Sequence, residues 1–122
     1  MNSEAKWFDF YGDVPHTLEY PDISMYAMIC NVAEKYGDYV AYDFMGKSAT
    51  FEEFVQQVDN CAKALAEFGI QPGETVTVCL PNLPQAVIMF YAINKIGAIA
   101  SMVHPLSAEM RFCFISMRAK AV

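Results

Sequence analysis

Charge is scarce in this chain. Asp, Glu, Lys and Arg make up 18% of its 122 residues, against about 25% in an average soluble domain. Positive charge is the scarcer kind: eight Lys and Arg stand against fourteen Asp and Glu, a formal net charge of −6. Nucleic acid and anionic membrane both require a basic face, and the eight cations do not cluster, so neither is expected as a partner. Histidine is reduced to His16 and His104. No Cys/His cluster has metal-ligand spacing, no glycine-rich phosphate loop is present and no G-x-S-x-G elbow occurs. With two histidines and scattered acids, no catalytic triad suggests itself. The four cysteines, Cys30, Cys61, Cys79 and Cys113, form no C-x-x-C pair. They read as reduced, mostly buried thiols of a cytoplasmic protein. The opening Met1 to Lys6 lacks the apolar core of a signal peptide.

Apolar residues are abundant by contrast, at 55%. Ala86 to Leu106 is nearly all apolar and long enough to span a bilayer. Lys95 stands in its middle, where a lysine costs about 2.5–3.5 kcal/mol to insert, and Asn94 and Gly97 flank it. A soluble unit explains these interruptions; no transmembrane segment is expected. Thr75 to Leu80 is short, apolar and β-branched, the pattern of a buried strand. Asn82 is placed to cap the helix that follows, and Pro84 falls in its first turn, where a missing N–H costs little. The helix is expected to reach Ile96 and to end at Gly97. Ala98 to Val103 is a second strand, stopped by His104 and Pro105. The three form a βαβ unit with parallel strands. Its helix is apolar all the way round, which predicts burial on every face.

Two further helices precede this unit. Ser24 caps one running to Tyr36, with Met25, Met28, Ile29 and Val32 as its apolar stripe. Thr50 and Glu53 form a T-x-x-E capping box for the other, whose stripe is Phe54, Val58, Cys61, Leu65 and Phe68. Gly69 ends it. Between the helices, Tyr39 to Phe44 and Ser48 to Thr50 flank the turn Met45-Gly46-Lys47 and read as a hairpin. Residues 1–23 show no period; they read as an extended arm carrying the aromatic cluster Trp7, Phe8, Phe10 and Tyr11, with His16 exposed. At the other end, Ser107 is placed to cap a helix reaching Met117, and Ala119 to Val122 reads as the start of another strand. The fold class is therefore α/β: helices layered on a mainly parallel sheet with a βαβ unit and a β-hairpin. Residues 24–122 form the truncated opening portion of a larger domain.

The sequence offers little chemistry of its own. Glu52-Glu53 is an acidic pair, but adjacent helical residues do not converge on one substrate, so it reads as a cap and a solvated face. His104 is the single candidate binding residue, since it ends a parallel strand just before a helix start, where α/β folds bind ligands. No catalytic or metal-ligating residue is assigned.

Several segments together resemble the adenylate-forming enzymes. Ser48-Ala49-Thr50-Phe51-Glu52-Glu53-Phe54 is similar to their (T/S)-Y-x-E-L segment. L-A-E-F-G-I-Q-P-G-E-T-V-T-V-C-L-P-N resembles L-x-x-x-G-(V/I)-x-x-G-D-x-V-A-(I/L)-x-x-P-N. Ala92 to Leu106 resembles A-x-x-K-x-G-A-x-x-x-x-x-x-P-L, and L-E-Y-P-D-I-S-M-Y-A-M-I resembles the opening of acyl-CoA synthetases. The resemblance implies the N-terminal fragment of an AMP-forming acyl-CoA synthetase, whose parent uses ATP, Mg and coenzyme A on a carboxylic acid. Its nucleotide motifs would lie beyond residue 122, so the fragment itself is expected to bind no cofactor and to be inactive. The rest of the parent polypeptide is the expected partner, with self-association when it is missing. The loop matching His104-Pro105 borders the coenzyme A side in some members of that superfamily. Two other readings stand beside this one: an amino-acid-adenylating domain fragment, and an independent α/β binding or scaffold module.

Overall fold

Two chain turns decide the architecture, and glycine makes both. The computed structural model of the protein describes residues 6–106. A 3-10 helix, Lys6–Phe10, precedes α1 (Met25–Tyr36), the strands β1 (Val40–Phe44) and β2 (Lys47–Thr50), α2 (Phe51–Glu67), β3 (Thr75–Cys79), α3 (Pro84–Lys95) and β4 (Ile99–Val103). Gly69 after α2 has φ +104° and Gly97 after α3 has φ +76°. In each case the glycine N–H donates to the carbonyl three residues back. The next N–H donates to the carbonyl five back: Ile70 to Leu65 at 3.2 Å and Ala98 to Ile93 at 3.1 Å. This paired closure of orphan carbonyls needs a left-handed residue, which glycine adopts without a Cβ penalty. It turns Ile70 and Ala98 inward, where both pack in one buried cluster with Val78 and Ile93.

β3 and β4 pair in parallel, from Thr75 opposite Ile99 to Cys79 opposite Val103, which bears out the βαβ expectation. β1 and β2 form the separate antiparallel hairpin, with a register shift between Val40 and Tyr42. Its turn is tighter than the three-residue reading: Met45 (φ +52°) and Gly46 (φ +79°) alone cross over, the left-handed pair that a two-residue hairpin demands. The capping box of α2 is complete. Glu53 N–H donates to Thr50 Oγ1 at 3.2 Å and Thr50 N–H donates to Glu53 Oε2 at 2.9 Å. Ser24 caps α1 by accepting from Ala27 N–H at 3.1 Å.

The main core lies among the three helices, where Ile29, Phe54, Val58, Ala62 and Ala92 are buried together. Val58 and Ile93 are wholly inaccessible, and fully burying a side chain of that size is worth about 1.5–3 kcal/mol.

Five expectations need correction. Asn82 does not cap α3: Leu83 holds the cap position and supplies no side-chain hydrogen bond. Only Ile29 of the proposed α1 stripe is buried, while Met25 and Met28 are both 46% exposed. The inward face of α1 is set instead by Tyr26 and Ile29. Phe68 does not join the α2 stripe. It falls on the cap residue, where the helix has begun to turn away, and is exposed. The helix α3 is not buried on every face, for Val87 is 48% exposed. Nor are the thiols mostly buried: Cys30 and Cys61 are half-buried but Cys79 is exposed. Cys113, the helix expected from Ser107 and the strand expected from Ala119 lie outside the described residues. Among the described residues, no helix is long and apolar enough to cross a membrane.

Candidate functional site

The carboxyl end of the parallel strands opens onto a groove. It is about 510 Å³ in volume and lies between β1, the first turns of α3 and the end of β4. Tyr42, Phe44, Val87, Phe90 and Met102 give it apolar walls, and Asp43 and Asn82 add polar groups. Local sequence explains its position. Pro81 and Pro84 force an extended connection out of β3, so α3 starts only at Pro84 and leaves the space beside Leu83 open.

His104, the one residue named from sequence, follows β4 directly and is exposed. Its Nδ1 accepts the Leu106 N–H at 3.1 Å. A neutral ring held in this way carries its proton on Nε2, which is left as the donor. Glu53 is engaged in the cap of α2, and Glu52 is exposed. Further toward the N-terminus, His16 is exposed and stacks on Phe8 with centroids 4.3 Å apart and planes within 4°.

A second constellation escaped the sequence reading. Asp59 of α2 accepts the Tyr26 O–H at 2.7 Å and pairs with Lys95 Nζ at 2.7 Å through the same oxygen, Oδ1. The Lys95 ammonium also lies 4.6 Å from the centre of the Tyr26 ring, within range of a cation–π attraction. Beside it, Asn94 Oδ1 accepts the Tyr26 backbone N–H at 2.9 Å. Four side chains thus tie α1, α2 and α3 into one joint. Burial works against charge on Asp59, but hydrogen bonds from Lys95 and Tyr26 outweigh it and hold the carboxyl below its ordinary value. Burial likewise opposes the Lys95 charge and is outweighed by Asp59, so the ammonium sits above its ordinary value. The Tyr26 phenol is pushed up to about 12, by burial first and by the neighbouring carboxylate as well. These shifts mark a structural clasp: each of the three groups moves away from neutrality. The only signal in the sequence was the pair Asn94-Lys95 at the end of an otherwise apolar helix. Nothing there pointed to Asp59.

Residues 30–122 match the profile of the AMP-binding enzyme family. The chain belongs to that family. The resemblance carried by the motifs around Thr50, Gly73 and Gly97 is thereby established. Among curated relatives, the Bacillus subtilis long-chain-fatty-acid–CoA ligase is 34% identical over 110 residues, covering 89% of this chain and 20% of the ligase. The acetyl-coenzyme A synthetase of Streptomyces avermitilis is 38% identical over 78 residues, 60% of this chain and 12% of that one. The N-terminal subdomain of Klebsiella oxytoca NpsA superposes with a TM-score of 0.78 at 23% identity, over 80% of this chain and 26% of that chain. At that identity the likeness establishes the fold. The chain therefore spans about a fifth of the length of the first of these family members, and its fold is that of about a quarter of the NpsA N-terminal subdomain. Among the described residues, no group of three or more His, Cys, Asp or Glu could hold a metal ion.

Proposed function

We propose that the chain is the N-terminal part of an ATP-dependent, AMP-forming acyl-CoA synthetase. In the parent, a carboxylic acid and ATP give an acyl-adenylate and pyrophosphate; coenzyme A then takes the acyl group and releases AMP. One observation carries the reading: 34% identity to a long-chain-fatty-acid–CoA ligase along 89% of the chain. The parent is cytoplasmic, takes ATP, Mg and coenzyme A, and supplies the nucleotide-binding residues from beyond Val122. Within the present chain, His104 is the residue assigned to the coenzyme A side, with Nε2 as its donor. Residues 1–23 are an arm leading into the domain that begins at residue 24. The 122 residues alone are inactive and self-associate through surface that the parent covers.

Carboxylate-dependent ATP–pyrophosphate exchange tests this. Adenylation requires donors and cations arranged around the transferring group. The purified 122-residue chain should therefore give no exchange, and a polypeptide extended through the downstream motifs should give it with fatty acids. Exchange by the extended chain with amino acids alone would replace this reading with an amino-acid-adenylating domain. Activity in the short chain that His104→Ala abolishes would overturn the fragment reading.

A further inference from the structure

The two faces of the β3–β4 sheet are unequally finished. Val76, Val78, Leu80, Ala98 and Ala100 turn toward Leu65, Met89 and Ile93 in one apolar cluster. Alternation along the strands leaves Thr75, Thr77 and Cys79 on the opposite face, beside Ile99, Ser101 and Val103. There Ile99 is 56% exposed and Cys79 is exposed, yet Val103 is buried while belonging to neither apolar cluster. The Thr77 hydroxyl oxygen is inaccessible and finds no hydrogen-bond partner among the described residues, which native structures rarely leave standing. Parallel sheets are covered on both faces. The edge of β3 away from β4 is open as well: five consecutive residues, Val76 to Leu80, line a cavity of about 260 Å³ with Leu65 and Met89. Consecutive residues share an edge of a strand, not a face.

We infer that residues 107–117 cover this second face and that residues 119–122 then pair in parallel along the free edge of β3. Handedness selects that edge over the outer edge of β4. Crossovers between parallel strands are right-handed. A helix on the α3 face would carry the chain onward past β4, whereas a helix on the opposite face carries it back past β3. The opposite face is the one that lacks a cover, so the return runs to β3. Length permits it: residues 104–118 lie between β4 and the added strand, and a parallel crossover takes about a dozen. The strand order then reverses at β3. The crevice in which doubly wound sheets bind ligands therefore opens at Leu80, Pro81 and Asn82, with His104 one strand away. The inference stands on these residues alone and does not depend on the ligase reading.

Amide hydrogen exchange in the 122-residue chain, read residue by residue by NMR, tests it. Ile99 N–H donates to the Glu74 carbonyl, so the amides of Val76 and Val78 point at β4 and those of Thr77 and Cys79 at the free edge of β3. The amides of Ala100 and Met102 point to the outer edge of β4. Thr77 and Cys79 should exchange at least about 50-fold more slowly than Ala100 and Met102, as expected where exchange requires local opening. Deleting residues 119–122 should erase that difference while Val76 and Val78, the check on folding, stay protected. Fast exchange at Thr77 and Cys79 in the intact chain overturns the inference, and slow exchange at Ala100 and Met102 alone moves the added strand to β4. Protection of Thr77 and Cys79 that survives the deletion, or that fades on dilution as a second copy leaves the edge, overturns it equally.

Discussion

The helices α2 and α3 lie against each other and are built on opposite plans. α2 has a polar face, a complete capping box and a buried stripe of Phe54, Val58 and Ala62. It asks nothing of the chain beyond its neighbours here. α3 is apolar around its circumference, has no side-chain cap and leaves Val87 to solvent. Each ends in the same glycine closure, so the difference is not one of helix quality. It lies in how many faces the sequence prepares for burial, and α3 is prepared for more than the described residues supply.

The largest expected effect separates the two sides of α3. Ile93→Ala removes a wholly buried side chain and should cost about 2–5 kcal/mol in urea unfolding. Val87→Ala in the 122-residue chain should cost below about 0.5 kcal/mol. Equal losses would mean that the outer face of α3 is already packed, and the comparison would collapse.

Next comes the joint that holds both helices to α1. Asp59→Ala removes the shared acceptor of Tyr26 and Lys95 and should cost about 1–2 kcal/mol, since the partners remain half-solvated. The pH dependence has a definite sign. The Asp59 carboxyl titrates below its ordinary value when folded, so its contribution is present above about pH 4 and is lost as pH falls through the folded value. Tyr26 rises from 10.0 to about 12, and Lys95 shifts upward too. Their contribution is complete below about pH 10 and disappears as pH rises toward the folded values. Absorbance titration should show one late tyrosine that Tyr26→Phe abolishes and Asp59→Ala brings earlier. An unchanged alkaline curve in both variants would remove the clasp from the account.

The smallest effect contrasts the two N-termini. Thr50→Ala breaks the capping box and should cost about 1 kcal/mol. Asn82→Ala, which deletes no cap, should stay within about 0.5 kcal/mol. A comparable loss at both positions would restore Asn82 as a cap.

These contrasts also show what the sequence could reveal. Signals confined to a few neighbouring residues were legible: the T-x-x-E box, the glycines after α2 and α3, and the β-branched runs of β3 and β4. Asn82 misled because a good capping residue stood one position before the real cap; Pro84 fixes where the helix begins. Met25, Met28 and Phe68 misled because periodicity names an apolar side without saying how much of it a neighbour covers. The clasp stayed hidden because Tyr26, Asp59 and Lys95 meet only through tertiary packing. The groove at the candidate site was equally illegible, since it is the space left between a hairpin and a helix with no local pattern in common.

The hydrogen bonds that zip the starts of β3 and β4 have a consequence in time. Gly73 N–H donates to the Gly97 carbonyl at 2.8 Å, and Ile99 N–H donates to the Glu74 carbonyl at 2.7 Å. Both contacts close across a single helix, and closing a loop of that size carries a modest entropy cost. A ribosome adds about 5–20 residues per second, and domains form from their N-termini as they emerge. The hairpin and α2 are therefore already waiting when α3 leaves the tunnel, and β4 needs only to reach back over one helix to dock. The unit can thus assemble in the order in which it is made.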